Sequence, residues 1–153
     1  MINLKFNKSK IFNIAIFSLI AIFFIIDRAL KSLAIKNKEG FDILGDFLRF
    51  RFVANENIAF SIPLGGNFLF YFLSLILIVI FIYTVFLFIK KRSKEFLLFL
   101  ALFLGALSNF IDRINYSFVV DYLDLKYFTV FNLADILIFF ASLFLFIFYF
   151  KEK

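Results

Sequence analysis

Residues Phe68–Ile89 read FLFYFLSLILIVIFIYTVFLFI. No charge interrupts the stretch, and about 20 apolar residues suffice to cross the hydrocarbon core of a bilayer. It is therefore read as a membrane-spanning helix, and the rest of the chain is read around it. Three shorter apolar runs accompany it. One covers Ile11–Ile26, reaching Leu30 if Asp27 and Arg28 are included; one covers Phe96–Ile111. The last covers Ile136–Phe150, or starts at Phe131 if Asn132 and Asp135 belong to it. These shorter runs need flanking polar residues to complete a span, which makes those residues the informative ones. The expectation is an all-α membrane protein: a single integral membrane domain over residues 1–153, with spans about 11–30, 67–89, 96–114 and 132–150.

Composition agrees with that class. Of 153 residues, 64% are hydrophobic and 29 are Phe, against roughly 45–50% apolar residues in soluble domains. The 18% of charged residues is too little to cover a water-soluble protein of this size, and intrinsic disorder needs low hydrophobicity. Heavy use of Phe, Ile, Lys and Asn is also what A/T-rich coding produces, so no single Phe is assigned a role. Cysteine and histidine are absent. That removes disulfides, thiolate nucleophiles, the commonest general base and the commonest zinc ligand. No metal or organic cofactor is expected.

The net charge of +6 does not point to nucleic acid, because the bases sit at the ends of the apolar runs. Lys5, Lys8 and Lys10 precede the first run, and Lys90, Lys91, Arg92 and Lys94 join the second to the third. Lys151 and Lys153 follow the fourth. Four spans place all of these on one face, which the positive-inside rule assigns to the cytoplasm together with both termini. On the opposite face Glu39, Asp42, Asp46 and Glu56 dilute Lys31, Lys36, Lys38, Arg49 and Arg51, and Lys126 also lies there. The first run, with lysines before it, also has the layout of a signal peptide. No small-residue cleavage site follows it, and Asp27-Arg28 do, so it is read as a retained helix.

Lys31–Asn67 is not a span. It holds Gly40, Gly45, Gly65, Gly66 and the only proline, Pro63, which punctuate turns. Leu48, Phe50 and Phe52 alternate with Arg49 and Arg51, a period of two that predicts a strand. A small β-structured platform is expected on the outer face, between the first and second helices. The apolar Asn115–Val130 segment is expected to lie at the membrane interface.

This topology brings acids from distant parts of the chain to one depth near the outer face. Asp27 ends the first helix, Asp112 lies near the end of the third, and Asn132 and Asp135 start the fourth; Asp121 and Asp124 lie between the last two. Gly105, Ser108, Asn109 and Asp112 share one helix face at spacings of three and four, as do Asn132 with Asp135 and Asp27 with Lys31. Polar stripes of this kind turn away from lipid. A plainer reading stands beside this one. Asp27–Lys31 is also what an interfacial ion pair looks like, Asp112-Arg113 what a solvated helix end looks like, and Asn109 can simply bond a neighbouring helix. Asp135, one turn inside an apolar run, fits the plainer reading least. Gly105 is read as a close-packing position. Two carboxylates held close share a proton, so one activates water while the other protonates a leaving group. Spacing alone does not choose among the acids.

Five stretches carry a resemblance. Asp27-Arg28-Ala29-Leu30-Lys31 resembles Asp-x-x-Thr-Lys, and Asn55-Glu56-Asn57-Ile58-Ala59-Phe60-Ser61 resembles Asn-x-Gly-x-Ala-Phe-Ser. Gly105-Ala106-Leu107-Ser108-Asn109-Phe110-Ile111-Asp112-Arg113 resembles Gly-Ala-Leu-Gly-Asn-x-x-Asp-Arg. Val119-Val120-Asp121-Tyr122-Leu123-Asp124 resembles Val-Val-Asp-Phe-Ile-Asp, and Phe131-Asn132-Leu133-Ala134-Asp135 matches Phe-Asn-x-Ala-Asp. In this order they resemble lipoprotein signal peptidase (signal peptidase II), a bacterial inner-membrane aspartic peptidase family, over nearly the whole chain. Leu30, Asn57 and Ser108 depart from the pattern.

The resemblance implies a catalytic dyad of Asp121 and Asp135, with Asp27, Lys31, Asn55, Asn109, Asp112, Arg113 and Asn132 binding substrate or shaping the site. It implies cleavage of diacylglyceryl-modified prolipoproteins just before the lipidated cysteine, sensitivity to globomycin, contact with membrane lipids, and no nucleic-acid partner or required oligomer. The platform with Asn55–Ser61 is expected to close over the substrate. Two other readings use the same residues: a small proton- or ion-coupled transporter relaying protons through the acids, and a non-catalytic membrane chaperone or scaffold. The absence of an internal repeat counts against the transporter.

Overall fold

The structure, a computed structural model, describes residues 8–56 and 67–151. Among these, four helices are long and apolar enough to cross a membrane. They are α1 (Lys8–Lys36), α2 (Asn67–Ile89), α3 (Ser93–Tyr116) and α4 (Leu133–Lys151). Between α1 and α2 lie β1 (Phe41–Leu44) and β2 (Leu48–Asn55); between α3 and α4 lie β3 (Val119–Leu125) and β4 (Val130–Phe131). The strands form one antiparallel sheet in the order β1-β2-β3-β4. The fold is therefore the expected one, four apolar helices with a small sheet between the first two. The sheet is wider than expected, because the segment after α3 adds β3 and β4. An unpaired edge on β2 would leave backbone N–H and C=O groups without partners, and β3 covers it.

α3 is the hub, packing against α1, α2 and α4. Small side chains let it do so. A Cβ on Gly105 would sit 2.8 Å from both the Ala134 carbonyl oxygen and Ile138 Cγ1, so only glycine permits α4 this close. Toward the end that carries the termini, Ile20, Leu97, Ala101 and Ala141 close the core between α1, α3 and α4. α2 keeps Leu75, Ile78, Val79 and Ile82 exposed, a surface that suits lipid rather than water.

α1 has 29 residues, roughly 44 Å of helix, more than a bilayer core of about 30 Å needs. Its last turns carry Ala34, which is buried against Phe50, Val120 and Tyr122 of the sheet. The alternation in β2 appears as expected: Phe50 is buried while Arg49 and Arg51 are exposed. One irregularity matters for the site. Phe50 pairs with Leu123 but Val53 pairs with Asp121, so β2 holds one extra residue opposite Tyr122. Such a bulge flips the side-chain alternation beyond it. Asn55 therefore lies opposite Val119, on the same sheet face as Asp121. The outer-platform residues Asn57 to Ser61, Pro63, Gly65 and Gly66, together with Lys5 and Lys153, lie outside the described residues.

Candidate active site

The site is built around the first turn of α4. A helix N-terminus leaves four N–H groups without intrahelical partners, and here all four are bonded. The Asn132 carboxamide oxygen accepts from Asp135 N at 2.9 Å. The Tyr122 hydroxyl accepts from Leu133 N at 3.1 Å, and Asp27 Oδ1 accepts from Ala134 N at 3.2 Å. Asp135 Oδ2 accepts in return from Asn132 N at 3.2 Å, the reciprocal arrangement of a capping box. Asp135 is thus held at its remaining oxygen by one more donor: Asn109 Nδ2 reaches Oδ1 at 2.8 Å.

Asp121 comes from the other side, on β3, with 1% of its surface exposed. Asn132 Nδ2 donates to its Oδ1 at 2.7 Å, and Asn55 Nδ2 donates to its Oδ2 at 2.8 Å. The second bond exists because the β2 bulge turns Asn55 to this face. Burial first, and then repulsion from Asp135, push the Asp121 carboxyl up to about 6, against the pull of the Asn55 and Asn132 bonds and of Lys31. Asn132 therefore touches both carboxylates, one through its side chain and one through its backbone. Its amide also lies 3.2 Å from Asn109 Oδ1.

Behind the two acids lies a buried ion cluster joining α1 to α3. Lys31 Nζ sits 2.8 Å from Asp112 Oδ2, 3.3 Å from Asp27 Oδ2 and 2.7 Å from Asn109 Oδ1. Arg28 Nη1 pairs with Asp112 Oδ1 at 2.5 Å and reaches the Ser108 carbonyl at 3.0 Å. Two acids thus meet two bases, so the cluster is balanced in charge. Asp112 Oδ2 also accepts from Val120 N at 3.2 Å, fastening β3 to α3. Asp27, Lys31 and Asp112 are each at most 1% exposed. Neither an exposed interfacial pair nor a solvated helix end describes them.

Of the expected residues, Asp121, Asp135, Asn55, Asn109 and Asn132 form one contiguous set of hydrogen bonds. Asp27, Lys31 and Asp112 adjoin it through Asn109 and Ala134. Arg113 is half-buried at its edge, with Nη1 3.5 Å from the Asn109 carbonyl of its own helix. Asp124 stands apart, paired with Arg51 at 2.6 Å. Three contributors were not anticipated. Arg28 completes the ion cluster, and the hydroxyls of Ser108 and Tyr122 both donate to Asp27, at 2.5 and 2.9 Å. Ser108 stands on the polar stripe of α3, where the family pattern has Gly, so its hydroxyl was a signal left without a role. Tyr122 stands where the family pattern has Phe, and that extra hydroxyl is the one signal for it amid so many aromatic residues.

A profile of the family described as "Signal peptidase (SPase) II" matches residues 19–151. "Lipoprotein signal peptidase" of Clostridium tetani is 34% identical over 138 residues, covering 84% of this chain and 87% of that one. Its namesake in Clostridium novyi is 35% identical over 139 residues, covering 84% and 92%. A bacterial membrane enzyme solved by the in meso method at 2.3 Å superposes with a TM-score of 0.77 at 27% identity, covering 90% of this chain and 88% of the other. Fold and comparisons define the class, a multi-pass bacterial membrane peptidase. Within that class, the chain belongs to the signal peptidase II family. The transporter reading finds no support in these comparisons.

Proposed function

We propose that the protein is an aspartic endopeptidase that removes the signal peptide from diacylglyceryl-modified prolipoproteins, cutting just before the lipidated cysteine, with Asp121 and Asp135 as its dyad. The observation that supports this most is Asn132. One residue bonds a carboxylate on β3 and a carboxylate on α4, which is what holding two acids around a single water requires. The raised affinity of Asp121 for its proton fits a pair that shares one proton and titrates as a unit.

In this mechanism the ionised carboxylate takes a proton from water, and the oxygen attacks the scissile carbonyl. The protonated carboxylate gives its proton to the carbonyl oxygen. Collapse of the tetrahedral intermediate breaks the C–N bond, and the proton taken from water passes to the leaving amine. Asn55, Asn109 and Asn132 orient the two acids. Asp27, Lys31 and Asp112 are too buried to meet substrate and instead hold α1, α3 and α4 in register. Arg113, at the site's edge, is the cation placed to contact a substrate carbonyl. The site lies near the outer face of the bacterial inner membrane, with both termini cytoplasmic, and globomycin occupies it.

The test is incubation of purified protein with a lipidated prolipoprotein, reading the size shift with and without globomycin. Asp121→Asn and Asp135→Asn each abolish cleavage while the protein still inserts. Wild-type-like turnover by either variant rejects the dyad.

A further inference from the structure

The buried hydroxyls of Tyr122 and Ser108 are used by none of the steps above, yet both converge on one carboxylate. Tyr122 OH donates to Asp27 Oδ1 at 2.9 Å, and Ser108 Oγ donates to Asp27 Oδ2 at 2.5 Å. The same Asp27 Oδ1 accepts from Ala134 N, and the same Tyr122 hydroxyl accepts from Leu133 N. Both side chains are fully buried. We propose that Tyr122 and Ser108 are positioning residues which, through Asp27, clamp the first turn of α4 against β3 and so fix the separation of Asp121 and Asp135.

The chain's layout makes Tyr122 a second strut between the two acids, beside Asn132. Its backbone neighbour is Asp121. Its hydroxyl holds Leu133, two residues before Asp135. The ring between them has only two rotatable bonds and is packed against Phe50, with centroids 5.5 Å apart. Asp27 cannot turn away, because Lys31 Nζ lies 3.3 Å from Oδ2 and Ser108 fixes the same oxygen. Loss of the Tyr122 hydroxyl frees Leu133 N at the α4 terminus, and loss of the Ser108 hydroxyl loosens Asp27, which holds Ala134 N; either lets the helix shift relative to the strand. Displacements of about 1 Å at reacting groups cost up to about a hundredfold in rate.

The inference rests on the dyad reading, and the experiment separates the two. Tyr122→Phe and Ser108→Ala are each purified and assayed for kcat and KM on a lipidated prolipoprotein across pH, beside Asp121→Asn and Asp135→Asn. The charged groups facing the dyad are Lys31 and Asp27 from α1, and Arg113 and Asp112 from α3; none is altered in either hydroxyl variant. Tyr122→Phe is expected to lower kcat about tenfold with KM within about twofold. It is also expected to move the alkaline limb of the kcat profile to lower pH, because acids that drift apart repel less and release the shared proton sooner. A purely structural role lowers kcat without moving that limb, and this result overturns the proposal, as does a kcat within about twofold of wild type. If Tyr122→Phe fails to fold, Ser108→Ala decides by the same criteria. Activity in the Asn variants instead refutes the dyad itself.

Discussion

Asn132 does two jobs at once, capping α4 and bridging the acids, and two substitutions pull these apart. Asn132→Ala removes the capping oxygen and all side-chain donors. It is expected to cost about 1–2 kcal/mol of stability together with most of the activity. Asn132→Asp keeps an oxygen for Asp135 N but turns the donor facing Asp121 into an acceptor. The expected outcome is a folded protein with a retained cap and no turnover, read by thermal unfolding in detergent and by cleavage. An active Asn132→Asp enzyme contradicts the bridging role. At this scale the sequence was legible where polarity stood out against apolar surroundings. Asp135 and Asn132 interrupt such a run, and Asn109 and Asp112 share a stripe. The role of Tyr122 was not legible, because its single polar atom acts only once the strand and the helix are juxtaposed.

At the scale of elements, the contact between α3 and α4 carries the most strain-sensitive point. A methyl on Gly105 meets a backbone carbonyl and Ile138 at 2.8 Å, and the carbonyl cannot move alone. Gly105→Ala is therefore expected to push the helices apart and destabilise the protein by about 1–3 kcal/mol. Activity falls too, because Asn109 sits one turn further along the same face. A thermal midpoint equal to that of wild type would show that the contact is softer than the geometry indicates. The strand in Leu48–Asn55 was visible from its alternation. β3 was harder to see: Val119 to Tyr122 are all buried, so no period of two marks the strand. The β2 bulge leaves no trace in the local sequence either, since register is decided by the partner strand.

At the scale of the whole molecule, the helices were legible from length and hydropathy alone, and the charge asymmetry yields an orientation that is directly measurable. The chain has no cysteine, so single cysteines report without interference. Tyr127, in the turn after β3, is 92% exposed, and Lys91 is exposed between α2 and α3. In intact spheroplasts a membrane-impermeant maleimide is expected to label Tyr127→Cys, and to label Lys91→Cys only after permeabilisation. The opposite pattern reverses the assigned topology and places the site at the inner face.

The pairing of Asp27 with Lys31 also bears on how the molecule is made. α1 is synthesised first and enters the bilayer before Ser108, Asn109 or Asp112 exist as partners. A lone ionised side chain in a nascent span is costly, and most so toward the helix centre. Four residues apart on one helix face and 3.3 Å from each other, these two charges offset one another within α1 itself. The helix thus carries both halves of the ion pair to its C-terminal end already neutralised. Asp112 brings the balancing charge for Arg28 only when α3 follows, so assembly closes the electrostatic account in the order in which the ribosome supplies the helices.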